Sequence, residues 1–193
     1  MKYNFFAYMA RMKYIRRWGL MKSVTEENIA EHSAQVAQLA HALALIRNKK
    51  FGGDIDANKI CVMALYHETS EVMTGDLPTP IKYYNPEIRN SYKDIEHTAN
   101  ERLISMIPEE FRADYRELIE VDTDSVEHLI IKAADKISAY VKCVEEMQSG
   151  NREFAMAQAT LRKEIEAYQQ KLPEVDWFCK TYLETFSQTL DEM

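Results

Sequence analysis

Cysteine, glycine and proline are all scarce in this 193-residue chain: three, five and five residues respectively. Cys61, Cys143 and Cys179 are far apart and form no CxxC spacing, which leaves neither a disulfide framework nor a thiolate zinc site. They are expected to be packing residues. The glycines and prolines fall between periodic segments rather than inside them, so they mark where elements end. No apolar run approaches the roughly 20 residues that cross a bilayer, and the N-terminal MKYNFFAYMARMKYIRRWG carries charge on both sides of its short apolar stretch. The expectation is a cytoplasmic protein with no membrane partner. Positive charge is also short, with 24 Lys and Arg against 31 Asp and Glu and a net charge of −7. That argues against a broad cationic surface for polymeric nucleic acid, although a local cation can still hold one small phosphate. Apolar residues at 46% and charged residues at 28% suffice for a buried core, which excludes disorder. One domain over residues 1–193 is expected at this length.

The pattern is helical throughout. Ile29, Val36, Leu39, Leu43 and Ile46 recur at helix spacing and predict a helix from Ile29 to Lys49 with Thr25 as its N-cap. Asp56 is placed to cap a second helix, from Ala57 to Met73, that ends at Gly75. Asn85-Pro86 opens a third, whose stripe of Ile88, Tyr92, Ile95, Ala99 and Leu103 runs toward Pro108. Asp124 and Glu127 have capping-box spacing ahead of Val126, Ile130, Ala133, Ile137, Val141 and Val144, and Gly150 closes that helix. Two more amphipathic segments follow, through Phe154, Leu161, Ile165 and Tyr168 and through Val175, Phe178, Tyr182, Phe186 and Leu190. Strand-period runs and internal repeats are missing. The expected class is all-α.

Three places carry chemistry. Ala64-Leu-Tyr-His-Glu-Thr-Ser-Glu71 puts His67, Glu68 and Glu71 within one helical turn, so His67 and Glu71 share a face and a cation at its edge is reachable from both His67 and Glu68. One imidazole nitrogen and one carboxylate oxygen suit zinc, manganese, iron, cobalt or nickel. His32 lies on the stripe of Val36, Leu39 and Leu43 and therefore points inward, where it needs a carbonyl, a carboxylate or a metal as partner. His41 lies on the opposite side of that helix and is structural. Asp135, between Ala134 and Lys136 in mid-helix, is costly to bury unpaired. Its partner is Lys132, Lys136 or a cation.

A His on an early helix, a His-acid pair on the next and an Asp on a later one resemble the HD-domain metal-dependent phosphohydrolases. Arg17-Trp18, Ser70-Glu71, the loop Gly75-Asp-Leu-Pro-Thr-Pro80, Lys132-Ala-Ala-Asp135, Lys49-Lys-Phe-Gly-Gly53 and Gly150-Asn-Arg-Glu-Phe154 make the chain similar to the bacterial YfbR-like 5′-deoxynucleotidases over most of its length. The resemblance implies a single HD-domain helical bundle and a homodimer. It also implies one divalent transition-metal cation (cobalt, manganese, zinc or similar) on His32, His67, Glu68 and Asp135, and hydrolysis of deoxyribonucleoside 5′-monophosphates to deoxyribonucleoside and phosphate.

By the same resemblance Arg17 sets the phosphate, Trp18 crowds the sugar against a ribose 2′-hydroxyl, and Asp76, Leu77, Pro78 and Thr79 line the sugar. Glu68 and Asp135 would face substrate as well as metal. Glu71 would move a proton, either by orienting water or by protonating the leaving oxygen. The family's usual His-Asp pair is His67-Glu68 here, and the longer acid leaves three outcomes: a working site with a shifted or bidentate carboxylate, an altered metal preference, or weaker activity. Alternatives are another HD-domain nucleotide phosphohydrolase, acting on a cyclic nucleotide or a deoxynucleoside triphosphate, and a non-catalytic nucleotide-binding module.

Overall fold

Asn28, rather than the expected Thr25, starts the first long helix. Its side-chain oxygen accepts from the Ala30 and Glu31 N–H groups at 3.0 and 3.1 Å, and Glu31 returns a carboxylate oxygen to the Asn28 N–H at 3.2 Å. This reciprocal arrangement satisfies the otherwise orphaned donors of the first turn. In the computed structural model, which describes residues 3–82 and 84–193, a short α1 (Phe5–Met9) precedes this helix, α2 (Ile29–Phe51). Gly52 stops it with φ 70°, backbone that glycine adopts without strain.

Asp56 caps α3 as expected, accepting the Lys59 N–H at 2.9 Å, but α3 covers only Ala57–Leu65. The Tyr66 carbonyl receives both the N–H and the hydroxyl of Thr69, at 3.1 and 2.7 Å. A hydroxyl side chain that bonds its own backbone competes with the helical ladder. The chain therefore turns at 66–70 and resumes as α4 (Glu71–Thr74). The continuous helix expected from Ala57 to Met73 is thus two helices, and His67 and Glu68 sit in the turn between them. Gly75, φ 73°, ends α4.

The remaining elements are α5 (Thr79–Lys82), α6 (Pro86–Ile104), α7 (Arg112–Ile119), α8 (Val126–Gln148), α9 (Ala155–Gln169) and α10 (Pro173–Tyr182). Asn85 caps α6 as expected, accepting the Ile88 N–H at 2.7 Å. At α8 the cap is Ser125, whose hydroxyl accepts the His128 N–H at 3.1 Å, in place of the expected Asp124 and Glu127 box. The last stripe also ends early. Beyond Tyr182 there are only short 3-10 turns, and Leu190 is 85% exposed. Among the described residues there is no strand, and the extended pairing is one isolated bridge between Arg16 and Asn28.

The helices fall into two compact units. The first takes residues up to Lys22, Glu26–Ser33 and Tyr66–Val121. Its core joins Phe5, Met12, Ile29, Val72, Leu103, Ile104, Ile107 and Ile119, with Tyr66 and Tyr115 against the Phe5 ring. The second takes Ser23–Thr25, Ala34–Leu65 and residues from Asp122 onward. Val36, Leu43, Ile60, Ile130, Ile137, Phe154, Ile165 and Val175 are fully buried in it.

Within this second unit an ion pair anchors residues 23–25 to α8. Glu146 accepts from the Val24 N–H (2.8 Å), the Thr25 N–H (3.1 Å), Lys142 Nζ (2.5 Å) and Asn151 Nδ2 (2.6 Å), while Lys142 also donates to the Thr25 carbonyl. Both side chains are buried. Burial alone would raise the Glu146 carboxyl, but Lys142 and the other three donors outweigh it and bring it down to about 2. A folded value below the unfolded one stabilises at neutral pH, and that contribution is lost as pH falls toward about 2. Glu146→Ala strands Lys142 and is expected to cost roughly 3–5 kcal/mol. Chemical denaturation at pH 7 reads this, and an unchanged midpoint would show that the pair does not stabilise the fold.

Candidate active site

The first unit supplies the site from a closed loop and a turn. Ile29 N–H donates to the Ile15 carbonyl at 3.0 Å and Arg17 N–H to the Glu27 carbonyl at 2.9 Å, so the loop between them returns on itself and sets Arg17 and Trp18 beside Glu27. Arg17 Nη1 and the Trp18 indole N–H both donate to Glu27 Oε2, at 3.0 and 2.7 Å. The Trp18 backbone N–H faces the Asp76 carboxylate. Trp18 itself has φ 60°, a left-handed conformation that costs a non-glycine residue roughly 1–3 kcal/mol and persists only where its surroundings hold it. The indole and backbone bonds provide that hold.

His32, in the first turn of α2, is fully buried, as its place on the apolar stripe requires. The 66–70 turn brings His67 and Glu68 to it. Glu68 Oε1 lies 3.8 Å from His32 Nε2 and 3.5 Å from His67 Nε2, and the two ring centroids are 5.5 Å apart. One ligand atom from each of His32, His67 and Glu68 lies within 4.8 Å of the others. The turn, rather than register along a straight helix, makes them converge. Two imidazoles and a carboxylate form a donor set for a divalent transition cation.

The tautomer of His32 is part of that fit. Arg17 Nη1 is 2.5 Å from His32 Nδ1, and a guanidinium only donates, so in this contact the ring proton sits on Nε2. A cation on Nε2 requires the reverse, with Nδ1–H turned to an acceptor. Glu27 Oε1 stands 3.7 Å from Nδ1, beyond hydrogen-bond length, and is the carboxylate placed to become that acceptor. Burial raises the Glu27 carboxyl, but the His32 ring, the Arg17 charge and the Trp18 indole together leave it below the usual range.

Beside this cluster the acids crowd. Glu71 is buried, and its Oε2 has no hydrogen-bond partner among the described residues. Burial first, then the charges of Glu68 and Asp76, push its carboxyl up to about 10, against the opposing pull of Lys82 and Arg17. Asp76 is raised as well, by burial and by Glu68, although Arg17, Lys82 and the Trp18 N–H lower it. Such a concentration of buried acid is what a nearby dication would relieve.

The structure therefore brings Arg17, Trp18, His32, His67, Glu68, Glu71 and Asp76 into one region of the first unit. Leu77 and Pro78 are half-buried in the segment leading to α5, and Thr79 opens α5 in an exposed position. Asp135 lies in mid-α8 in the second unit, half-buried beside the fully buried Ala134, and its neighbour Lys136 pairs with Glu164 at 3.1 Å. Two residues of the region had escaped the sequence reading. Glu27 looked like one acid in an acidic stretch, and the only hint was its place before a capping Asn. Lys82, bonded to Glu96 at 2.9 Å, contributes positive charge at Glu71 and Asp76.

Comparison with known proteins places this architecture among the HD-domain phosphohydrolases. A solved HD-domain phosphohydrolase from Listeria innocua superposes with a TM-score of 0.83 at 26% identity, covering 95% of this chain and 88% of that one. A cyanophage S-2L HD phosphohydrolase, solved with dA and one catalytic zinc ion, shares the fold at a TM-score of 0.63 and 19% identity over 93% of this chain and 96% of its own. The match to the YfbR-like 5′-deoxynucleotidase family model spans residues 4–186, and the chain belongs to that family. A 5′-deoxynucleotidase of Vibrio vulnificus is 54% identical over 98% of this chain and 97% of its own.

Proposed function

We infer that the protein is a metal-dependent 5′-deoxynucleotidase, hydrolysing deoxyribonucleoside 5′-monophosphates to deoxyribonucleoside and inorganic phosphate. The observation that carries this is the convergence of His32, His67 and Glu68 beside a buried acid, Glu71, and a guanidinium, Arg17. The 54% identity to a protein bearing that activity in its name supports it. Asp135 is proposed as the fourth ligand of the cation, and cobalt, manganese or zinc as the cation. A cation held there supplies Lewis acidity toward water and the phosphoryl oxygen.

The chain's own side chains do the rest. Arg17, now on His32 and Glu27, offers a planar donor fork to the phosphate oxygens. Glu71, buried beside Glu68 and Asp76, is the proposed proton-transfer group, either orienting the attacking water or protonating the departing 5′-oxygen. Trp18 is proposed to crowd the sugar against a 2′-hydroxyl, with Asp76, Leu77, Pro78 and Thr79 along the sugar and Glu68 and Asp135 facing substrate as well as metal. The proposal includes one domain over residues 1–193, a cytoplasmic location and a homodimer. For location, the structure adds that no helix among the described residues is long and apolar enough to cross a membrane. The homodimer rests on the family resemblance, since α9 and α10 use Leu161, Ile165, Val175 and Phe178 in the core.

A substrate panel tests the activity. With cobalt or manganese added, phosphate release is expected from deoxyribonucleoside 5′-monophosphates and far less from ribonucleotides, triphosphates or cyclic forms. Preference for a triphosphate or cyclic nucleotide would overturn the assignment, and inertness toward all would favour a binding module. Trp18→Ala is expected to lower the deoxy-to-ribo ratio of kcat/KM at least about tenfold, the scale of one sterically excluded group. An unchanged ratio removes Trp18 from selectivity.

A further inference from the structure

We propose that Glu27 is the positioning residue of this site: its single carboxylate fixes Trp18, Arg17 and His32 together, and through Trp18 it sets the preference for deoxyribose over ribose. The selectivity part rests on the deoxynucleotidase reading above. The anchoring part stands on geometry alone.

Glu27 Oε2 takes two donors, the Trp18 indole at 2.7 Å and Arg17 Nη1 at 3.0 Å, while Oε1 faces His32 Nδ1 at 3.7 Å. The residues proposed for sugar, phosphate and metal therefore share one anchor. Oε2 accepts from Trp18 and Arg17, and Oε1 is left to accept from His32 once Nδ1 carries the ring proton. A hydroxyl or an amide has no second acceptor oxygen for that, whereas a carboxylate has. The loop between Trp18 and Glu27 cannot orient the indole by packing alone. Trp18 is only half-buried, and its left-handed φ of 60° has to be imposed by its bonds. The Glu27 main chain adds to the hold through its carbonyl, which accepts the Arg17 N–H at 2.9 Å. A ligating imidazole whose second nitrogen meets a carboxylate is held in one tautomer and orientation, and Glu27 is the carboxylate placed to do this for His32.

Two substitutions separate the roles. Glu27→Ala removes the side-chain anchor of all three and leaves the backbone bonds. Glu27→Gln keeps an oxygen for Trp18 but turns an amide N–H₂ toward His32 Nδ1, which suits the metal-free tautomer and opposes the metal-loaded one. Both are made in a Trp177→Phe background, so that Trp18 is the one emitting tryptophan.

For Glu27→Ala, Trp18 emission is expected to move to longer wavelength with stronger quenching by acrylamide, and the deoxy-to-ribo ratio of kcat/KM to fall about tenfold. For Glu27→Gln, emission and ratio should stay near those of the parent, whereas cobalt(II) affinity falls about tenfold or more. A folded Glu27→Ala protein with unaltered Trp18 quenching would overturn the anchoring. Altered quenching with an unaltered ratio would overturn the selectivity role, and unaltered cobalt affinity in Glu27→Gln would remove His32 from the set. If the parent protein released no phosphate from deoxynucleotides, the functional assignment would fail. The quenching and cobalt measurements would still decide for or against the anchor.

Discussion

Glu71→Gln is expected to lower turnover at least about a hundredfold, the usual contribution of a positioned proton donor, while leaving the bound cation in place. The side chain is buried, keeps one oxygen without a hydrogen-bond partner among the described residues and, without metal, is held up to about 10 by burial and by the charges of Glu68 and Asp76. Glutamine preserves shape and burial but has no proton to release. Rate and metal content measured on the same preparation separate proton transfer from metal loss, and full activity would take Glu71 out of the mechanism.

The same substitution has an effect on stability with a definite sign. In metal-free protein the folded carboxyl titrates above its unfolded value of 4.5, so the folded state holds the extra proton. Its contribution is complete below about 4.5 and is lost as pH rises toward about 10, at no more than about 1.4 kcal/mol per pH unit. Glu71→Gln should flatten that decline. Denaturation of the metal-free protein across this window should show a steeper loss for the parent than for the variant. Parallel curves would mean that Glu71 is not held protonated.

The second large effect is expected at His67. Its ring is 3.5 Å from Glu68 Oε1 at Nε2 and stacked obliquely on His32. His67→Ala is expected to empty the site of metal and to reduce turnover at least about a thousandfold, because a Lewis acid contributes several kcal/mol to the transition state. Glu68→Asp is the informative companion. If the longer acid merely shifts a working site, the aspartate variant should keep one cation and turn over within about tenfold of the parent. Retained metal and retained rate in His67→Ala would exclude the imidazole as a ligand.

Much of this was legible in the sequence because helix period and capping chemistry are local. The α2 stripe placed His32 inward, and it is fully buried. Asp56, Asn85, Gly75 and Gly150 did at their positions what their side chains or backbone freedom predict. Expectation and structure part where a local competitor intervenes. The Asn28 and Glu31 pair outbid Thr25, Ser125 outbid Asp124, and Thr69 broke a helix that hydrophobic spacing alone would have continued.

That break matters for the site. His67 and Glu68 are adjacent in sequence, but only the turn that Thr69 stabilises lets both meet His32. Glu27 was illegible for a different reason. Its role depends on a loop closing through Arg17 and Ile15 backbone bonds, which no periodicity encodes, and the acid beside it, Glu26, pairs with Arg16 at the exposed surface. Lys82 likewise acts through space rather than through spacing.

We propose that His32, His67, Glu68 and Asp135 hold one cation despite the longer acid at position 68. Anomalous diffraction from cobalt-soaked crystals measures this directly. One strong peak bonded to all four side chains is expected, at about 2.0–2.2 Å from the ring nitrogens and carboxylate oxygens. A cobalt peak elsewhere, or one that leaves Glu68 or Asp135 out of its coordination, would contradict it.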